Sequence, residues 1–262
     1  MSALRHRRVF PPVFAGLVAL AWVALWAWTR SPYGRYADHG GWMAAEPVAA
    51  LCRALPGGAV WLPALFYAAS WTLMILAMML PTTLSLFNAF ERVVSGRPDR
   101  ARLLALVGLG YVAVWSSFGL LAHGLHALLL NGIAQMPALA WRGWLIGAAT
   151  LALAGAFQFS TLKTRCLDQC RTPLSFVIGH WRGIAPQRQA FALGGRHGLF
   201  CVGCCWALML LMFVVGTGSL GWMLLLAAVM AVEKNVAWGR RLTAPLVIAL
   251  LAGAALLVAL HL

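Results

Sequence analysis

Acidic residues are what this chain has least of. Asp and Glu together number six in 262 residues, and charged residues of both signs make up only 10%. So few carboxylates leave no paired-carboxylate site and no support for a Ser–His–Asp arrangement. Phosphate-binding loops and nucleophile motifs are also missing, so the expectation is a binding or transport protein rather than an enzyme. No stretch is polar enough to form a separate water-soluble domain. No internal repeat of 20–50 residues and no inverted symmetry is visible. Cysteine is present, but not as a disulfide framework. Five of the six fall in two clusters that map to a reducing side, and Cys52 stands alone.

What fills the chain instead is apolar. Hydrophobic residues make up 62%, with thirteen tryptophans, and runs of about 20 apolar residues recur along the whole length. The expected fold is therefore all-α: one polytopic transmembrane helix bundle over 1–262. Seven segments are expected, at about 13–28, 62–86, 103–128, 143–162, 197–216, 220–234 and 243–261. The first follows a basic start, as a signal peptide would. Trp22, Trp26 and Trp28 stand where small residues would be needed for cleavage, so a retained helix is expected.

The net charge of +14 would suggest nucleic acid in a soluble protein. Here no basic stripe is interleaved with solvent-facing aromatics, and nucleic acid is not an expected partner. The basic residues instead lie in short segments between apolar runs. Segments 1–12, 87–102, 163–196 and 233–242 carry three, four, six and three Lys/Arg. The alternate segments carry only Arg30, Arg35, Arg53 and Arg142. By the positive-inside rule this gives seven crossings, N-terminus in and C-terminus out. Lone polar residues such as Ser116, Ser117 and Gln158 are read as interhelical hydrogen-bond partners, and Gly108–Gly110 as a close-packing patch.

That topology brings sulfur together. The fourth segment leads into KTRCLDQC (163–170), and the fifth opens with RHGLFCVGCC (196–205). Cys166 and Cys170 would leave the bilayer where Cys201, Cys204 and Cys205 enter it. Spacings of three and four put Cys201, Cys204 and Cys205 on one helix face. Met209 and Met212 continue that stripe. Met74, Met78 and Met79 precede Pro81, which should kink the second segment. Thiolate and thioether donors select Cu(I), zinc or iron–sulfur clusters. Lys163, Arg165, Arg171 and Arg196 flank the thiols and favour the thiolate. Free cysteine also packs as a small hydrophobe and methionine as a gap filler. Yet Cys166 and Cys170 lie in a polar, basic loop, 163–196, where packing explains nothing. Four thiolates would suit zinc; the methionines tilt the set toward Cu(I), with zinc as the alternative.

Other candidates are weaker. His197 adjoins the thiols and is a candidate extra ligand. His180 lies in the same inner segment. His123 and His126 share a face near the outer end of the third segment, where an interfacial role suffices. Glu233 and Lys234 close the sixth segment as a charged terminus in the headgroups, with Glu233 a candidate for proton or metal balance. Glu91 ends the second segment on the same side.

The motifs W-x-x-M-x-x-A-M-M-L-P (71–81), R-C-L-x-x-C-R-x-P (165–173), G-x-x-C-x-G-C-C-W-x-L-M (198–209) and E-K (233–234) together resemble a bacterial family. It is that of the predicted metal-binding integral membrane proteins, a membrane domain of unknown function with a copper-chaperone-like label. The resemblance covers about 65–235 and implies metal binding. The expected partners are a metal ion, the lipid bilayer of the bacterial inner membrane and a metal-donor or acceptor protein. Two other functions fit parts of the pattern: a thiol–disulfide oxidoreductase using the C-x-x-C cysteines, and a transporter with a structural zinc site.

Overall fold

Proline and serine set the boundaries of the helices. The computed structural model describes residues 10–30, 58–135, 144–215 and 219–261, and there the chain forms ten α-helices. Cys52, Arg35, Arg53, Arg142 and the side chain of His126 lie outside the described residues. Helix α1 (Phe10–Arg30) carries Pro11 and Pro12 in its first turn, where a missing N–H costs nothing. Helix α2 (Gly58–Met78) stops ahead of Pro81, and a 3₁₀ turn (Leu80–Thr83) leads into α3 (Leu84–Val93). The described part of α2 and the segment after it meet at 50°, the kink expected from Pro81. Thr82 Oγ1 and Thr83 Oγ1 donate to the carbonyls of Met79 and Leu80, both at 2.7 Å, within the turn at the break.

Helix α4 (Arg100–Ala134) follows a turn pinned by an Arg97–Asp99 ion pair. Helix α5 (Trp144–Phe157) is followed by Gln158–Ser160, with no proline or glycine, and α6 (Thr161–Arg171) leaves it at 65°. Ser160 makes the new start possible: its side chain accepts from Lys163 N at 3.1 Å as an N-cap. Pro173 opens α7 (Pro173–His180) and Pro186 opens α8 (Pro186–Val215). Segment 163–196, expected as a loop, is thus largely helical. Its charges are compatible with helix because Ala190 and Leu193 face inward and no further proline follows Pro186 within α8. Helices α9 (Leu220–Asn235) and α10 (Thr243–Ala259) complete the chain, joined by a 3₁₀ turn at Gly239–Leu242.

Among the described residues, four helices are long and apolar enough to cross a bilayer, or six if each bent pair is one span. The sixth expected segment, α9, has 16 residues, short of that length. Helix α8 is the centre, packing on α4, α5, α6, α7 and α9. Its closest neighbour is α4, and glycine sets that distance. A Cβ on Gly194 would overlap the Val107 carbonyl, and one on Gly110 would meet the backbone of Phe191 and Gly195. Small residues at a helix crossing let the backbones touch. Two buried clusters result. One is aromatic and aliphatic, around Phe87, Phe90, Leu103 and Phe176. The other is rich in sulfur.

Candidate metal centre

The sulfur cluster is built from α8 outward. Cys201, Cys204 and Cys205 share the face of α8 that their spacing predicts, and are 0–2% exposed. Helix α6 runs alongside and brings Cys166 and Cys170 to the same place, also buried. Cys170 is buried in the same cluster as Cys201 and Cys204. Cys166 fits against Gly203: a Cβ there would come within 2.6 Å of its Sγ. All five cysteines are free thiols. The two sequence clusters therefore form one group in space, and the glycine between Cys201 and Cys204 is what admits Cys166.

Two other helices close on Cys201. From α4, Tyr111 Oη lies 3.0 Å from Cys201 Sγ. From α9, Lys234 Nζ donates to the same sulfur at 2.9 Å. Lys234 also reaches Thr82 Oγ1 at 3.4 Å, Cys205 Sγ at 3.8 Å and Met79 Sδ at 3.9 Å. Cys204 Sγ and Cys205 Sγ donate back to the Cys201 carbonyl at 3.1 and 2.9 Å. An ammonium buried among sulfurs needs a negative partner. Among the described residues no ion pair gives Lys234 a carboxylate, so the thiol sulfur beside it carries that part.

Glu233 is turned away from the sulfurs. It pairs with Lys163 Nζ at 2.6 Å, and both side chains are at most 3% exposed. Lys163 also donates to Gln158 Oε1, whose Nε2 donates to the Ala154 carbonyl at 3.1 Å. Arg171 donates to the backbone carbonyls of Glu233 and Ala237, and Arg240 pairs with Asp168. These contacts tie α6 to α9 and the turn after it. The terminal E-K pair thus splits: the glutamate balances Lys163, and the lysine enters the thiol site.

Met78, Met79, Met209 and Met212 are all buried in the same cluster as the cysteines. His197 is 2% exposed, one turn before Cys201, between the rings of Tyr111 and Phe176. Its Nδ1 has no hydrogen-bond partner among the described residues. His180 instead bonds the Phe176 carbonyl at the edge of a separate cavity of about 330 Å³ with Arg182, Gln189 and Arg196. His123 lies far along α4, beyond the cluster. Glu91, near the end of α3, takes no part in the cluster.

Tyr111 and Lys234 were not singled out by the sequence reading as site residues. The available signals were a tyrosine and a lysine inside or ending apolar helices, where polar groups are costly unless they have work to do. Among the described residues, no group of three or more His, Cys, Asp or Glu side chains is positioned to hold a metal ion as it stands. The reason is visible: two thiols turn back to a carbonyl, and an ammonium occupies the space beside the third. The donor set nonetheless suits a soft metal, with clustered thiols, thioethers and an imidazole nitrogen that lacks a partner.

The copper chaperone family PpoB2 matches residues 68–257, well over half of the chain, and the chain belongs to that family. The match includes every cysteine of the cluster and runs past the expected limit at 235 to take in nearly all of α10. No curated protein and no solved structure matches the chain.

Proposed function

We propose that this protein is an integral membrane protein that holds Cu(I) as cargo at the buried sulfur cluster. Cys166, Cys170, Cys201, Cys204 and Cys205 are the thiols from which its ligands are drawn, with His197 at the edge. The observation that carries this reading is the convergence of five thiols, from two separate stretches of chain, on one buried face of α8. Membership of a copper chaperone family supports metal handling. The soft donors and the buried methionines favour Cu(I) over zinc. A structural zinc site takes four thiolate, imidazole or carboxylate ligands in a closed tetrahedron and would leave the methionines without a part.

Membrane residence accounts for the surface. Leu20, Leu121, Leu128, Ile248 and Leu256 are all more than half exposed, a pattern that suits lipid and would drive aggregation in water. In this reading the chain crosses the bacterial inner membrane seven times, N-terminus in and C-terminus out. The cluster then lies toward the cytoplasmic face, where thiols stay reduced. Met78, Met79, Met209 and Met212 extend the soft surface into the bilayer, a path for cargo if the protein moves copper as well as delivering it. A donor or acceptor protein on the cytoplasmic side would complete the exchange.

The test is elemental analysis of the full chain, purified anaerobically in detergent, beside a C201S/C204S/C205S variant. About one equivalent of copper or more is expected in the wild type and none in the variant. Zinc alone would replace this reading with a structural zinc site. Absence of metal together with a reversible disulfide would replace it with redox chemistry.

A further inference from the structure

Lys234 is the residue in the sulfur cluster that the metal reading does not explain. It ends α9, is 5% exposed, and places its ammonium 2.9 Å from Cys201 Sγ and 3.8 Å from Cys205 Sγ. The adjacent Glu233 offers no compensation, because its carboxylate is committed to Lys163. Among the described residues, then, the fold places one fixed positive charge beside the sulfurs and no fixed negative one.

Charge counting gives that cation a consequence. A monovalent metal on two thiolates carries a net charge of minus one. With the ammonium beside it the site is neutral. A divalent metal on the same two thiolates is already neutral, and the ammonium leaves it positive. An unbalanced charge is costly in a buried site. Cys201 and Cys205 are the two sulfurs nearest the ammonium, one helical turn apart on α8.

We propose that Lys234 is a specificity-determining residue: a built-in counter-cation that tunes a Cys201–Cys205 site to a monovalent soft metal and against divalent ones. This rests on the copper reading above and names what sets its selectivity. Lys234 acts through charge and position and is not itself a ligand.

The experiment compares the wild-type chain with K234M, K234Q, K234R and C201S in detergent under anaerobic conditions. Cu(I) is titrated against a chromophoric cuprous chelator, and Zn(II) against a chromophoric zinc chelator. Two neutral variants are used so that loss of fold in one does not remove the comparison. The neutral variants are expected to lower the ratio of Cu(I) to Zn(II) affinity by roughly tenfold or more, the scale of one charge at this distance with partial screening. K234R, which keeps the charge, is expected to hold the ratio close to that of the wild type. An unchanged ratio in both neutral variants, with copper lost in C201S, would overturn the counter-cation and leave the copper site standing. K234R behaving like K234M would also overturn it, since shape rather than charge would then be acting. Full Cu(I) affinity in C201S, or none in the wild type, would remove the copper reading itself.

Discussion

Gly203 shows how much one hydrogen atom in place of a methyl group can decide. Its missing Cβ is the space into which Cys166 Sγ fits, and a Cβ there would come within 2.6 Å of the sulfur. G203A should push Cys166 off α8. The expected cost is about 1–3 kcal/mol, the range for overpacking a filled core, read as a lower unfolding temperature in detergent. Copper stoichiometry measured beside it separates a loss of fold from a loss of one ligand. At this scale the sequence was informative where a residue's role depends on its own helix alone. The grouping of Cys201, Cys204 and Cys205 follows from spacings of three and four. It was silent where the role depends on how two helices are rotated against each other. Whether Glu233 or Lys234 faces the thiols is set by the phase of α9 against α8, and spacing along one chain does not encode that phase.

Between helices, the buried Lys163–Glu233 pair is the main polar link from α6 to α9. Removing one partner strands a charge inside the bundle, which generally costs about 3–5 kcal/mol. E233A should therefore lower the unfolding temperature markedly. The double variant K163M/E233M should recover most of that loss, because matched apolar residues remove both desolvation costs. If the double variant were as unstable as E233A, the pair would not be acting as a mutual charge balance. The α4–α8 crossing predicts a different failure. G194V places a branched Cβ against the Val107 carbonyl, and should reduce the yield of folded protein while leaving each helix formed by circular dichroism. The sequence announced the break after α2, because proline has a fixed mechanical effect. It hid the 65° break between α5 and α6, where Gln158, Phe159 and Ser160 include no residue that forbids helix. The charges of 163–196 suggested a loop; the ion pairs that absorb several of them are tertiary and have no local signature.

Across the whole molecule, the proposed orientation rests on the distribution of Lys and Arg. If the N-terminus is inside and the C-terminus outside, a reporter active only in the cytoplasm should signal when fused before residue 1. A reporter active only in the periplasm should signal when fused after residue 262. Both ends reporting from the same side would mean an even number of crossings. Helix α9 would then be the segment to reconsider, since it has only 16 residues.

The near-complete burial of the five thiols also has a bearing on timing. Their exposures range from 0 to 7%, so a chelator in solution has no direct path to a metal held among them. Release must wait for a fluctuation of the protein, with α6, already bent away from α5, the element whose displacement would uncover the sulfurs. The rate of copper removal should therefore level off as chelator concentration rises, at a ceiling fixed by the protein's own opening. A rate that climbed in proportion to chelator would mean the metal sits where solvent can reach it. With a ceiling, a bound ion's residence time is set by how often the helices part, and a partner protein that speeds transfer must do so by parting them.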